Sequence, residues 1–393
     1  MAAERTYEVD RIPVHLQYQE KVVFQETYGF GGNQGYVNVE GIYFKPRGRP
    51  SKTIVLFMHP SSTLQLMPLP TALAKAGVHL MCCGSRYPKN DAALIMEKVA
   101  LDLGAYVRYA KEVLGYKTVI LGGWSGGGSL TLFYQSQAER PTVTHTPAGD
   151  PADLTGAGLI PADACMFLAA HISRARTLTE WMDASVTDEL NPDKRIVELD
   201  LYDPNNPNQA PYKPEFIKRY RAAQIERNRR ITKWVHETID TLKKRNNGEM
   251  ERGFVVHRTM ADPRFIDPTV DPNDRKPNWS YMGDPRTVNV GPVGMARFCT
   301  LRSWLSQWSY DETRADGLRC APGVTVPLLS IENSADDAAP SSHTKMIHEA
   351  IASQDKTMHT IKGATHYYQG QPELLAKAVG IQLEWLRARN LLE

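Results

Sequence analysis

Long apolar runs are missing from this sequence, and none approaches the ~20 residues that a helix needs to cross a bilayer. An excess of one charge is missing too. The 46 Lys and Arg nearly balance the 44 Asp and Glu, for a net charge of +2. That removes the electrostatic reason to expect nucleic acid or an acidic membrane surface as a partner. Cysteine is scarce, with five in the chain and no C-x-x-C. Cys82 and Cys83 are adjacent on a predicted strand, where neighbouring side chains point to opposite faces, so they are poor disulfide partners. Buried free thiols in a reduced, cytoplasmic setting are the expectation. Met1-Ala2-Ala3-Glu4-Arg5 begins no signal-peptide pattern. No internal repeat and no low-complexity tract is present. Metal-ligand spacing is lacking as well. His343 and His348 stand five apart and share no helical face, and the aspartates 267, 271 and 274 lack the glycine and terminal glutamate of a calcium loop. No metal and no cofactor is expected.

What is present is an ordinary folded composition, 42% hydrophobic and 23% charged, in 393 residues. That length suits an α/β core plus an insertion, or two domains. Up to about Arg49 the chain alternates in polarity and carries glycines, as in Val22–Thr27 and Tyr36–Phe44, which predicts antiparallel strands joined by turns. The rhythm then changes. Thr53–Met58 is a continuous apolar strand suited to burial on both faces. A helix near Leu69–Ala76, a strand Val78–Cys83, a helix over roughly Ala92–Leu114 and a strand Lys117–Leu121 follow. This alternation marks a parallel sheet covered by helices. It resumes at the strand Ala162–Ala170 and stops between Ile172 and Gly323. It returns with Val326–Ile331, a helix Ser342–Ala352, a last strand Thr357–Ile361 and a final helix from Pro372 to about Leu391.

At the end of the strand Lys117–Leu121 stands Gly123-Trp124-Ser125-Gly126-Gly127, followed by the predicted helix Ser129–Tyr134. Strand, glycine-bound serine and helix in that order form the G-x-S-x-G nucleophile elbow. The turn is so tight that residues two positions either side of the serine nearly touch, and glycine without a Cβ fits there. Such a turn exposes the serine Oγ at a helix N-terminus, where backbone N–H groups can meet a negative charge. A phosphate-binding loop is the competing reading of clustered glycines, but no Lys-Ser/Thr follows them and their spacing does not match G-x-G-x-x-G.

A serine needs a base to take its proton and a group to orient that base. His366 follows the last strand directly, in Gly363-Ala364-Thr365-His366. Such a loop lies at the carboxyl edge of a parallel sheet, where ligands bind. Among the eleven histidines, His59 is the only other one read at such an edge with a strong context. An orienting acid is expected after the preceding strand, where Glu332, Asp336 and Asp337 all stand.

The order serine, acid, histidine, each behind a strand, resembles the α/β-hydrolase family over roughly residues 20–171 and 324–391. The resemblance implies a mostly parallel, doubly wound α/β sheet with antiparallel N-terminal strands and an inserted, largely helical cap. The core would be 1–171 and 324–393, the cap 172–323. In that family the acid usually sits four residues before a proline in this loop, which selects Asp336, ahead of Pro340, with Asp337 as runner-up. The resemblance also implies an oxyanion hole from the backbone N–H groups of Gly126 and Ser61. Where the family usually has His-Gly, this chain has His59-Pro60, and Pro60 has no N–H to donate. His59 and Trp124 are pocket candidates, and for His59 a structural hydrogen bond shaping the loop is the preferred role.

Serine at the elbow, rather than aspartate, points to carbonyl chemistry. The expected function is hydrolysis of an ester, lactone or related bond of a small molecule through an acyl-enzyme. The alternatives are amidase, thioesterase or C–C bond hydrolase action, or an acyltransferase or lyase on the same fold. The expected partner is a small-molecule substrate, without nucleic acid or membrane, and a homo-oligomer is open. Trp181, Trp234, Trp279, Trp304 and Trp308 in the insertion are expected to help line an apolar pocket. Arg174 and Arg176 are read as surface residues, and the basic run within Tyr212–Lys244 as a solvated helix face.

Overall fold

The structure, a computed structural model, describes residues 6–20, 35–291 and 297–392. The predicted strand Val22–Thr27 lies outside them.

Continuous apolar runs form the middle of one eight-stranded sheet. Its strands are β1 (Val9–Gln19), β2 (Tyr36–Pro46), β3 (Thr53–Met58), β4 (Leu80–Cys83), β5 (Thr118–Ser125), β6 (Ala164–Ala170), β9 (Leu328–Asn333) and β10 (Lys356–Ile361). Their order across the sheet is β1-β2-β4-β3-β5-β6-β9-β10. β1 pairs antiparallel with β2, and β2 with β4, while every other neighbour runs parallel.

Side chains of a strand alternate faces, and both faces are covered here. Ile54, Leu56, Val119, Leu121, Cys165 and Phe167 pack into one apolar cluster with α2 (Met96–Arg108) and α3 (Gly127–Glu139). Val55, Phe57, Ile120, Met166 and Leu168 pack into another with α1 (Pro68–Lys75) and the final helix Pro372–Arg387. Each such buried side chain stabilises the fold by about 1.5–3 kcal/mol relative to leaving it exposed. All five cysteines are buried, and none is in a disulfide. Among the described residues no helix is long and apolar enough to cross a membrane.

The chain between β6 and β9 builds apolar clusters of its own around α4 (Arg174–Trp181) and one long helix, α5 (Pro214–Arg245), joined by a small antiparallel pair, β7 (Gly253–Val255) with β8 (Phe298–Thr300). The basic run of α5 is not simply solvated. Arg227 is buried against Glu189, and Arg221 pairs with Asp262, so part of the charge binds the insertion internally. Ala315, Cys320 and Ala321, late in the insertion, pack in the apolar cluster of the sheet.

Hydrogen bonds and ion pairs tie the insertion to the core at several places, among them the Arg302–Asp150 and Arg174–Asp91 pairs. The Met96 N–H at the start of α2 donates to Ser306 Oγ at 2.8 Å, and Ser306 donates to Glu97 at 2.7 Å. Opposite, the Asp274 N–H donates to Ser334 O at 2.7 Å and the Tyr281 N–H to Asp337 O at 3.3 Å. The second set meets the loop after β9.

Candidate active site

The order of strands reverses between β3 and β5: β4 lies outside β3, and β6 outside β5. A crevice opens at the carboxyl ends of the strands at such a switch point. β5 ends there in Ser125, whose φ of +54° lies in the left-handed region that a serine seldom enters. Gly126 then leads directly into α3, so Ser125 sits at the positive end of a helix. The close flanks are real. A Cβ on Gly123 would stand 2.8 Å from Gly127 O and 2.8 Å from Gly128 Cα.

His366 lies in the loop after β10, and its Nε2 is 3.1 Å from Ser125 Oγ. Its Nδ1 is 2.8 Å from Asp336 Oδ2. The other oxygen, Asp336 Oδ1, accepts the N–H groups of Ala338 at 2.8 Å and Ala339 at 2.7 Å. Two backbone donors on one oxygen hold the carboxylate in place and leave the other for the imidazole. Ser125, His366 and Asp336 are all buried. Asp337 makes no such contact. Burial, then the charge of Asp336, pushes its carboxyl up to about 6. Of the two acids left open by the sequence, Asp336 is the one that meets His366.

Trp124 is a wall of the site. Its ring centroid is 4.4 Å from that of His366 and 5.3 Å from that of Tyr367. From the insertion, Tyr281 brings its ring to 6.3 Å from His366, and Trp181 lies 5.6 Å from Tyr281. The other tryptophans differ in their surroundings. Trp304 and Trp308 stack on each other in the insertion's own core, and Trp234 and Trp279 are partly exposed. Of the insertion's tryptophans, Trp181 is the one whose ring contacts, with His171 and Tyr281, lead to the site.

His171 is the residue that sequence reasoning missed. A register shift at the end of β6 pairs Ser125 with Ala170, and the skipped residue, Ala169, takes a φ of +43°. The bulge turns His171 toward β5. Its N–H donates to Ser125 O at 3.1 Å, and its Nε2 is 3.5 Å from Ser125 Oγ. Burial, then neighbouring histidines and Arg174, hold its pKa well below the ordinary value, so the ring is neutral. The signal was available: like His59 and His366, it follows a buried strand at the carboxyl edge.

Arg174 is not a surface residue. It is buried, paired with Asp91 and bonded to Gln307. Arg176 pairs with the buried Asp316. The aspartates of the supposed calcium-like loop hold protein groups instead: Asp267 accepts the Tyr212 N–H, Asp271 the Ser342 hydroxyl and Asp274 the Ser334 hydroxyl. Ser61, expected as an oxyanion donor, directs its N–H at His59 Nδ1, 3.2 Å away.

No family model matches the sequence, and no curated protein matches it. Solved structures do. GrgF from Penicillium sp. sh18, described as an α/β hydrolase, shares 12% identity over 96% of this chain and 98% of its own, with a TM-score of 0.50. The chain has the α/β-hydrolase fold. Est1E from Butyrivibrio proteoclasticus is similar at 13% identity over 89% of this chain and 95% of its own, with a TM-score of 0.45. A monoacylglycerol lipase of Paleococcus ferrophilus is similar at 14% identity over 88% and 98%, with a TM-score of 0.43. In terms of the α/β-hydrolase fold, Ser125 follows the central strand, Asp336 and His366 follow the two strands at one edge, and the insertion enters after β6.

Proposed function

We propose that this chain is a serine hydrolase acting on an ester, lactone or related carbonyl bond of a small molecule. The observation that carries the reading is the continuous hydrogen-bonded line from Ser125 through His366 to Asp336, starting from a serine at φ +54°. His366 would take the Ser125 proton as Oγ attacks the carbonyl carbon, and return it to the leaving alcohol as the tetrahedral intermediate collapses to an acyl-enzyme. Water, activated by the same histidine, would then release the acid. Asp336, fixed by two backbone N–H groups, orients the ring and stabilises the imidazolium. The Gly126 N–H at the head of α3 is the expected backbone donor to the oxyanion.

The segment 172–323 would act as the cap. Tyr281 and Trp181 border the triad from above, and burial of Ser125 keeps bulk water off the carbonyl. That burial also favours a second reading, acyl transfer to an alcohol or thiol, because an enclosed acyl-enzyme meets less water. A panel of esters, lactones, thioesters and amides of graded acyl length, with and without an added alcohol, tests both. Hydrolysis lost in Ser125→Ala supports the first reading. Acyl transfer that outpaces hydrolysis supports the second, and no turnover of any member by the unaltered protein rejects both.

A further inference from the structure

Pro60 has no N–H, and the N–H groups of the next two residues are already engaged. Ser61 and Ser62 both donate to His59 Nδ1, at 3.2 Å and 2.9 Å. The loop is held from outside as well: Pro60 O accepts the Ser85 hydroxyl, and Ser61 O accepts the Lys89 N–H at 2.7 Å. The backbone beyond β3 therefore points its first donors at a histidine ring and away from the nucleophile. Two backbone donors on Nδ1 require its lone pair there. In a neutral imidazole the hydrogen then sits on Nε2. The ring is neutral, because burial, then Arg174 and His366, pushes its pKa down to about 3.

The residue beside the nucleophile shows where Nε2 lies. A Cβ built on Gly126 would lie 2.7 Å from His59 Nε2, and 3.3 Å and 3.4 Å from the two ring carbons beside it. The edge of the imidazole thus stands where any other side chain at position 126 would be. Among the described residues no acceptor is bonded to Nε2, and His59 and His366 are near enough to influence each other's charge.

We propose that His59 is a catalytic residue, and that its Nε2–H and the Gly126 N–H together form the oxyanion hole. The inference rests on the serine hydrolase reading. His59 transfers no proton. It donates one hydrogen bond to the carbonyl oxygen as that oxygen becomes negative, and keeps its hydrogen when the intermediate collapses. The chain so replaces the backbone donor lost at the Pro60 loop with a side-chain donor whose tautomer is set by that same loop. The close approach to Gly126 follows too, since a larger residue there would displace the ring.

Two variants separate the two ends of the ring. Asn in His59→Asn offers an acceptor near the Nδ1 position, so it keeps the Ser61 and Ser62 bonds, but carries no donor as far out as Nε2. Gln in His59→Gln reaches the Nε2 position with an amide donor. With the best p-nitrophenyl ester, His59→Asn should lose about 10²–10³-fold in kcat at little change in KM, and His59→Gln should recover part of the loss. Nitrogen-15 NMR of the unaltered protein at pH 7 should show His59 protonated at Nε2 and not at Nδ1. This readout holds even if the variants fail to fold. A folded His59→Asn variant within about threefold of the unaltered kcat, or a proton on Nδ1, overturns the proposal. Fluorophosphonate labelling of the unaltered protein keeps the two failures apart. A Ser125 adduct with an unaffected His59→Asn variant rejects the donor alone. No adduct rejects the serine reading and the donor with it.

Discussion

In the core, β3, β5 and β6 bury unbroken aliphatic runs between two layers of helices, whereas the chain between β6 and β9 buries arginines. Arg264 pairs with Asp262 and Glu180, and Arg258 with Asp183 and Asp200, in largely water-free surroundings. Among the described residues, the core's comparable group is Arg86 and Lys98 with Asp102 and Glu20, where the end of β1 meets α2. Apolar burial tolerates any well-shaped neighbour. A buried charge requires its partner, because the attraction must offset the loss of water. The two regions should therefore fail differently when altered.

The largest difference is chemical. Asp336 belongs to a core loop, and Asp336→Asn should lower kcat about 10⁴-fold on any ester the protein turns over, because the histidine loses its orienting acceptor. Asp337→Asn, one residue on, should change kcat by less than about tenfold. Steady-state kinetics on the two variants decide this, and equal losses would reject the role of Asp336.

Next comes stability. Arg264→Met strands Asp262 and Glu180 with fewer partners and should cost about 3–5 kcal/mol in denaturant unfolding. Exchanging Asp262 and Glu180 for Asn and Gln in the same molecule should recover much of that loss, as expected for a charge left alone. Phe57→Ala in the core should cost a similar 3–5 kcal/mol, with no partner change able to repair it. If the triple variant is no more stable than Arg264→Met alone, the contrast between the regions fails.

The smallest effect is one of pH. The folded carboxyl of Asp337 is raised from 3.8 to about 6, so folding binds its proton more tightly. Its contribution to stability is complete below about pH 4 and is lost as pH rises through about 6. Asp337→Asn removes this term, so the fall in Tm across that interval should be shallower in the variant. Equal slopes for the two proteins would contradict the raised value.

The same contrast explains what was legible in the sequence. Unbroken runs such as Thr53–Met58 and Ala164–Ala170 announce strands covered on both faces, and a catalytic serine, acid and histidine must stand just past such strands. Ser125, Asp336 and His366 were therefore readable as a set, and the structure brings them into one hydrogen-bonded line. His171 was not read although it directly follows the buried strand Ala164–Ala170; its turn toward Ser125 comes from a bulge at Ala169, and nothing in a run of small and apolar residues marks which of them leaves the register. The insertion was the least legible part. Its basic helix looks solvated until the opposing carboxylates, brought from Glu189 and Asp262, fold against it. Its tryptophans likewise looked alike in sequence, although Trp181 packs against His171 and Tyr281 while Trp304 and Trp308 stack in the insertion's own core.

The most direct test of the central claim is reaction with a fluorophosphonate, read by intact mass and peptide mapping. We expect one adduct per chain, on Ser125, formed slowly in Asp336→Asn and not at all in Ser125→Ala. A protein that stays unmodified, or one labelled equally well after Ser125→Ala, would contradict the assignment of Ser125 as the nucleophile.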